Sequence, residues 1–189
     1  MNEQRASVYR LLAALFSSEP DAGTLAALKA VRFPADGFPA EGQRFNEAVS
    51  ALTEASSDAL AADFAHVFLG PGETASPYES VYTSPKGIIM QDAWAYMREA
   101  LRSHGIGLAV NSPGLLEDHV SAELEYMAWL ADCADETAQA AFLSHRLLGW
   151  LPRFCADVEK YADTEFYRAA AALLAAFLEF DARFLAAKK

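Results

Sequence analysis

The chain has 189 residues, of which 53% are hydrophobic and 12% aromatic, and its formal net charge is −11. This length and composition predict one globular domain with a single core. The excess of acidic residues argues against a nucleic-acid-binding role, because such binding depends mainly on basic side chains. An acidic surface suits a basic partner, or simply keeps a protein in solution.

Four helices are predicted before residue 70 from the spacing of apolar residues. The first covers residues 3–17 and the second residues 21–31, after which a run of Pro and Gly predicts a loop over 32–42. A third helix is expected around 45–52, and Asp58 is the expected N-cap of the fourth.

A central segment from Phe64 to Tyr82 begins with helical apolar spacing and continues as a loop rich in Gly, Pro and aromatic residues. Its second part reads SPYESVY over residues 76–82. Long loops inside compact domains are usually functional or disordered, and disordered segments are poor in residues that pack, such as tyrosine. We therefore expect this loop to expose aromatic and hydroxyl side chains at a functional site.

Helical spacing continues through the C-terminal half, with helices expected over 91–104 and 116–134 and a further one capped by Asp135. Pro152 is expected to interrupt the helix that Asp135 caps, and a short piece then leads to Thr164, the expected N-cap of the last helix. A strand pattern is weakly present only around 81–89. The sequence thus predicts an all-α, single-domain bundle of about eight to ten helices with a long central loop.

Neither cysteine, Cys133 or Cys155, has a second Cys or His at metal-binding spacing. We therefore expect two buried, reduced thiols. The longest apolar run, residues 169–178, is far shorter than the roughly 20 residues of a bilayer-spanning helix. A soluble, cytoplasmic protein is expected.

A second informative motif reads LEDHVSAE over residues 116–123. Asp118 is the expected N-cap of the following helix, and His119 and Glu123 share one face of that helix. Three interpretations stay open: a structural cap with a packed histidine, a metal site without a visible third ligand, or a site for a basic or hydrogen-bonding ligand. No nucleophile and base occur in a pattern typical of covalent catalysis.

Together, segments 64–82 and 116–127 resemble the TorD/DmsD family of redox enzyme maturation chaperones in motif, order and spacing. The stretch HRLLGWLPRF at 145–154 and the pair Phe166-Tyr167 extend the resemblance over most of the chain beyond about residue 60. The chain departs from the family at Glu117, where proline is common. This departure concerns the subfamily more than the function.

The resemblance implies an all-helical, non-enzymatic chaperone that binds the twin-arginine leader and the apo form of a molybdenum-containing oxidoreductase in the cytoplasm. It implies no cofactor and no metal of its own, and either a monomer or a domain-swapped homodimer, for which residues 105–114 are a candidate hinge. By position, the leader-binding surface would include Phe64, Phe68, Pro77 and Tyr78, with Asp118 and His119 beside them.

The chemistry of a twin-arginine leader agrees with this expectation, because two arginines followed by an apolar segment need carboxylates beside an aromatic groove. Glu79, Asp118 and Glu123 can supply the charge, and Tyr82 can extend the aromatic wall. Two alternatives remain: a helical adaptor that binds a mature enzyme subunit without its leader, and a metal-dependent hydrolase centred on His119 and Glu123.

Overall fold

The computed structural model describes residues 2–30, 32, 38–53, 55–70, 74–107 and 115–188. Within these residues the ordered secondary structure is entirely helical, which confirms the all-α prediction. The α-helical segments are α1 (Asn2–Ser17), α2 (Ala22–Ala30), α3 (Pro39–Ala51), α4 (Ser56–Phe64), α5 (Glu79–Thr83), α6 (Asp92–Ser103), α7 (Val120–Cys133), α8 (Glu136–Phe142), α9 (Leu148–Tyr161) and α10 (Glu165–Ala186). A π-helical segment follows α4 at Ala65–Leu69, and a second one, Leu143–Leu147, joins α8 to α9 without a break.

The core is built from α1, which lies along α7, and from α10, which packs against α3 and α9. The buried apolar side chains of the described residues form one cluster. Its largest fully buried members include Trp150, Tyr9, Tyr167 and Phe16. The bundle of described helices thus packs around one core. None of its described helices is both long and apolar enough to cross a membrane.

Two predicted boundaries in the N-terminal half are wrong. Helix α3 begins at Pro39, inside the predicted loop, because proline is well tolerated at the first position of a helix, where its missing N–H is not needed. Helix α4 begins at Ser56, so that Asp58 lies in its first turn and Ala55 occupies the N-cap position. There the Asp58 carboxylate still stabilises the positive end of the helix dipole.

Helix α9 continues through Pro152, which corrects the predicted interruption. Proline is tolerated here because its side chain lies on the exposed side, one turn after the wider π-helical segment Leu143–Leu147 has changed the hydrogen-bond register. Another correction concerns the cysteines: Cys155 is buried as expected, but Cys133 is exposed. Burial raises the pKa of the Cys155 thiol.

The central segment is less open than predicted. Helix α5 begins within its SPYESVY part. The weak strand pattern over 81–89 does not correspond to a strand in the described residues. An isolated bridge joins Tyr78, just before α5, to His119. Gly105 ends α6 with a φ of +67°, the left-handed conformation that glycine adopts without strain. The candidate hinge at 105–114 lies mostly outside the described residues, since 108–114 are not among them.

Thr164 does precede α10, but its side chain does not cap that helix. Instead, the backbone N–H groups of Asp163 and Thr164 donate to the carboxylate of Asp63 at 2.9 and 2.8 Å, and the Thr164 hydroxyl donates to the same carboxylate. An acidic residue from α4 thus caps α10 from another helix. The same device recurs at the candidate site.

Candidate functional site: the junction of α5 and α7

The structure brings the two sequence motifs together. An antiparallel bridge joins Tyr78 to His119, with the Glu79 N–H donating to the Asp118 carbonyl at 3.0 Å. The Val120 N–H donates to the carbonyl of the buried Pro77 at 2.8 Å. These bonds hold the start of α5 against the start of α7. We call this region, residues 77–80 and 117–123 together with Arg146, which pairs with Glu79, the junction.

Asp118 caps a different helix from the one predicted. Its buried carboxylate accepts the Ser80 N–H at 3.0 Å and therefore satisfies a free amide of α5, not of α7. Residues Leu116–His119 form a turn, closed by the His119 N–H and the Leu116 carbonyl, so α7 begins later than expected. The other oxygen of the Asp118 carboxylate has no hydrogen-bond partner among the described residues.

His119 is the N-cap of α7. Its Nδ1 accepts the Ser121 N–H at 3.2 Å and lies 2.8 Å from the Ser121 hydroxyl. Its ring meets the Tyr78 ring edge to face, with 5.1 Å between the ring centroids. Burial lowers the pKa of His119 to about 4, so the imidazole is neutral at pH 7. It therefore orients Tyr78 and the helix start without adding charge.

Glu79 and Glu123 are close neighbours inside the junction, and each carboxyl group affects the pKa of the other. Glu79 pairs with the Arg146 guanidinium at 2.5 Å, and Glu123 accepts the Trp150 indole N–H at 2.9 Å. The Glu79 side chain is only 3% exposed and Glu123 is fully buried. Burial raises the pKa of both carboxyl groups.

The predicted aromatic wall divides between core and surface. Phe64 and Phe68 are buried and pack against Tyr167, with Phe68 also in contact with Phe16, so neither lies on an open surface. Tyr78 and Tyr82 are half-buried. The Tyr82 hydroxyl donates to Asp157 at 2.9 Å, which ties α5 to α9. Of these four aromatic residues, Tyr78 and Tyr82 are therefore the two that are partly exposed to solvent.

An exposed apolar loop, Ile88–Met90, connects α5 to α6 and was not identified from the sequence. Its three side chains are 46 to 50% exposed. The Gln91 N–H donates to the Ser80 hydroxyl at 3.1 Å, and the Gln91 amide donates to the carbonyls of Ile89 and Met90. Met90 adopts a φ of +60°, which is uncommon for a residue with a side chain. In the sequence, this loop is marked by three consecutive apolar residues directly after Pro-Lys-Gly.

Glu117, the residue that departs from the family pattern, accepts the Trp94 indole N–H at 2.6 Å. It is half-buried at the edge of the junction, and Asp92 is exposed in the first turn of α6. Two basic residues lie on the same part of the chain. Lys86 lies in the connection between α5 and α6, and Arg98 lies on α6, with its guanidinium over the Trp94 ring. The acidic groups that reach solvent here are therefore Glu117 and Asp92.

The described side chains of the junction do not form a ligand set for a metal ion. The His119 ring faces Tyr78 and Ser121, whereas the Glu123 carboxyl faces Trp150 and Glu79. Across the described ranges, no group of three or more His, Cys, Asp and Glu side chains is placed to hold an ion.

Comparison with known proteins decides the family. Residues 35–156 match the family described as nitrate reductase delta subunit. A chaperone protein TorD of Vibrio cholerae is 35% identical over 96% of this chain and 91% of its own length. The chain belongs to the TorD family of redox enzyme maturation chaperones.

Other TorD-family relatives have similar coverage. The TorD chaperone of Aliivibrio fischeri is 32% identical over 98% of this chain and 96% of its own, and that of Shewanella loihica is 31% identical over 98% and 95%. A solved structure from Archaeoglobus fulgidus, described as a redox enzyme maturation protein, superposes with a TM-score of 0.62. That protein is 20% identical, and the match covers 95% of this chain and 93% of its own, so the likeness concerns the fold alone.

Proposed function

We propose that this TorD-family chaperone binds the twin-arginine leader and the apo form of a molybdenum-containing oxidoreductase in the cytoplasm, without catalytic turnover. The observation that carries the proposal is the apolar loop Ile88–Met90, which is held in order by Gln91 yet leaves its side chains in solvent. Exposed apolar patches on ordered segments are typical of binding surfaces. The apolar part of a leader would bury this loop.

The charged part of the leader requires a revised set of residues. Asp118 and Glu123 are fully buried, and Glu79 is engaged with Arg146, so none of them offers a free carboxylate to an incoming arginine. Two other acidic groups reach solvent near the loop: Asp92 follows it in the chain, and Glu117 contacts Trp94 of the helix that Asp92 begins. We therefore assign the leader arginines to Glu117 and Asp92, with the half-buried Tyr78 available for stacking.

Calorimetric titration of the full chain with synthetic twin-arginine leaders from its own genome tests this proposal. Each leader is paired with a version in which two lysines replace the arginines, because lysine retains the charge but loses the planar guanidinium. Binding of one leader, weakened in its lysine version, supports the proposal and identifies the client. Absence of binding to every leader would refute it.

The adaptor hypothesis predicts a different outcome in the same experiment. An adaptor that recognises only the mature catalytic subunit would bind a leaderless subunit with undiminished affinity and would bind no isolated leader. The hydrolase hypothesis predicts a stoichiometric metal in the purified chain, which elemental analysis would detect. No specific observation at the junction favours either of these two alternatives.

A further inference from the structure

The junction contains more acidic groups than its single guanidinium can neutralise. Glu79 comes from α5, Glu123 from α7 and Arg146 from the π-helical segment before α9. Their surroundings add the Trp150 indole from α9, the Asp118 carboxyl from the turn before α7, and the Tyr96 ring from α6, which lies 4.4 Å from the guanidinium carbon. Two neighbouring buried carboxyl groups thus face one cation, the Arg146 guanidinium, whose side chain is 20% exposed.

The hydrogen bonds show which oxygen has no donor. Glu123 Oε2 accepts from Trp150, but Glu123 Oε1 is buried and meets no donor from the described residues. Two ionised carboxylates cannot hydrogen-bond to each other, since both are acceptors only. A proton on Glu123 Oε1 removes this conflict, because the resulting O–H donates to Glu79.

We propose that Glu123 is a protonated carboxylic acid that shares its proton with Glu79, so that the contact between α5 and α7 is held by a proton. Glu79 then carries the one negative charge that Arg146 pairs with. Loss of the proton would place two negative charges beside one guanidinium in a low-dielectric space, and would weaken the support beneath Tyr78 and His119. This inference does not depend on what the chaperone binds.

The sign of the pH dependence follows from where the proton resides. Folding takes up a proton whenever a carboxyl group has a higher pKa in the folded chain than in the unfolded one. The raised pKa of Glu123 therefore adds stability that is fully present at acidic pH, near the ordinary glutamate pKa. That contribution is lost as the pH rises toward the folded value.

The substitution Glu123→Gln tests the proposal, because a glutamine oxygen can accept from Trp150 while its amide donates to Glu79. Urea unfolding of the full-length chain is measured between pH 6 and 8 for the wild type and the variant. The unfolding constant of the wild type, divided by that of the variant, should rise about tenfold per pH unit, as one proton requires. An unchanged ratio would overturn the proposal.

Two controls separate the shared proton from a general loss of acidic charge. Glu179→Gln removes an exposed carboxylate on α10 and should leave the pH dependence of the wild type unchanged. Glu79→Gln leaves Arg146 without its anion and should lower the urea midpoint throughout the pH range. A midpoint equal to that of the wild type would contradict the pairing.

A second measurement works on the wild type alone, in case Glu123→Gln does not fold. Carbon-13 labelling of glutamate side chains allows NMR to follow each carboxyl group through a pH titration. We expect one carboxyl signal with the chemical shift of a protonated acid at pH 7. If all glutamate carboxyl groups are ionised at pH 7, the proposal is wrong.

Discussion

Two buried ionic clusters lie in different parts of the bundle and differ in how completely their charges are paired. In the first, Arg5 of α1 pairs with Asp181 of α10, and both are almost fully buried. Tyr9 donates to the same carboxylate at 2.7 Å, and Gln139 accepts from the guanidinium at 2.7 Å. The second cluster, at the junction, has two glutamates for one arginine.

The difference indicates what each cluster does. In the first cluster one cation meets one anion, and its buried polar atoms are satisfied by neighbours from α1, α8 and α10. Such a network fixes helix positions and offers nothing to a ligand. At the junction, by contrast, Asp118, Glu123 and Arg146 each retain a buried polar atom without a partner in the described part of the chain. Unsatisfied groups of this kind are rare in folded proteins, and each one calls for a physical explanation.

The largest effect is expected from Asp181→Ala in the balanced cluster. This substitution leaves the buried Arg5 guanidinium without its anion, which should cost about 3–5 kcal/mol in free energy of unfolding. Urea denaturation followed by circular dichroism measures it. Glu179→Ala, on the same helix but in an exposed pair with Arg183 at 3.8 Å, should cost less than about 0.5 kcal/mol. Equal losses in free energy of unfolding for the two variants would mean that the buried pair stabilises the chain no more than the exposed pair does.

Phe68→Ala tests whether this predicted binding residue belongs to the core. Phe68 contacts Phe64 and Tyr167 with ring centroids 4.9 and 5.5 Å apart, so truncation should destabilise the chain by about 3–5 kcal/mol. Leu69→Ala is the matched control, because Leu69 is 70% exposed and should change stability by about 0.5 kcal/mol or less. A stable Phe68→Ala variant that loses leader binding would place Phe68 in the site instead.

The substitution His119→Asn tests, through the pH dependence of stability, whether the His119 imidazole is held neutral at the junction. The folded pKa of His119, about 4, is below the ordinary value, so its contribution is present above about pH 6.5 and is lost as the pH falls toward 4. Asparagine can still cap α7 but does not titrate. The variant should therefore lose less stability than the wild type between pH 6.5 and 4.5 in urea titrations. Parallel curves would mean that the imidazole is not held neutral.

Ile89→Ser should have the smallest effect on stability and a clear effect on binding. Ile89 is 46% exposed, so its free energy of unfolding should change by about 0.5 kcal/mol or less. The affinity for the client leader should fall about tenfold, because an apolar contact is lost. Leu69→Ser, at an apolar and more exposed position outside the loop, is the calorimetric control. Equal losses of affinity for both variants would exclude a specific role of the loop.

The helices were predictable because they depend on local patterns, whereas the expectation that the two motifs lie together came from the family resemblance. Apolar spacing gave α1 and α2 to within one residue, and Asp135 caps α8 as expected. Asp118 was assigned to the wrong helix because the donor to its carboxylate could not be found from nearby sequence: the Ser80 N–H lies 38 residues away. Local capping rules consider only the helix that follows.

The candidate site was harder to predict, since burial depends on tertiary packing. Phe64 and Glu123 have residue types that suit a leader groove, yet the packing of α10 and α9 places them inside the protein. The pairing of Arg146 with Glu79 spans 67 residues and had no local signal. The apolar loop could have been found, because three consecutive apolar residues next to turn formers are unusual at a surface.

The central claim is that the client leader binds at the junction end of the bundle. Hydrogen–deuterium exchange of the full chain, with and without the leader identified by calorimetry, tests it most directly. With the leader bound, we predict new protection of backbone amides over residues 78–91 and 115–123 and unchanged exchange around Arg5 and Asp181. Protection confined to helices outside those two segments would contradict it.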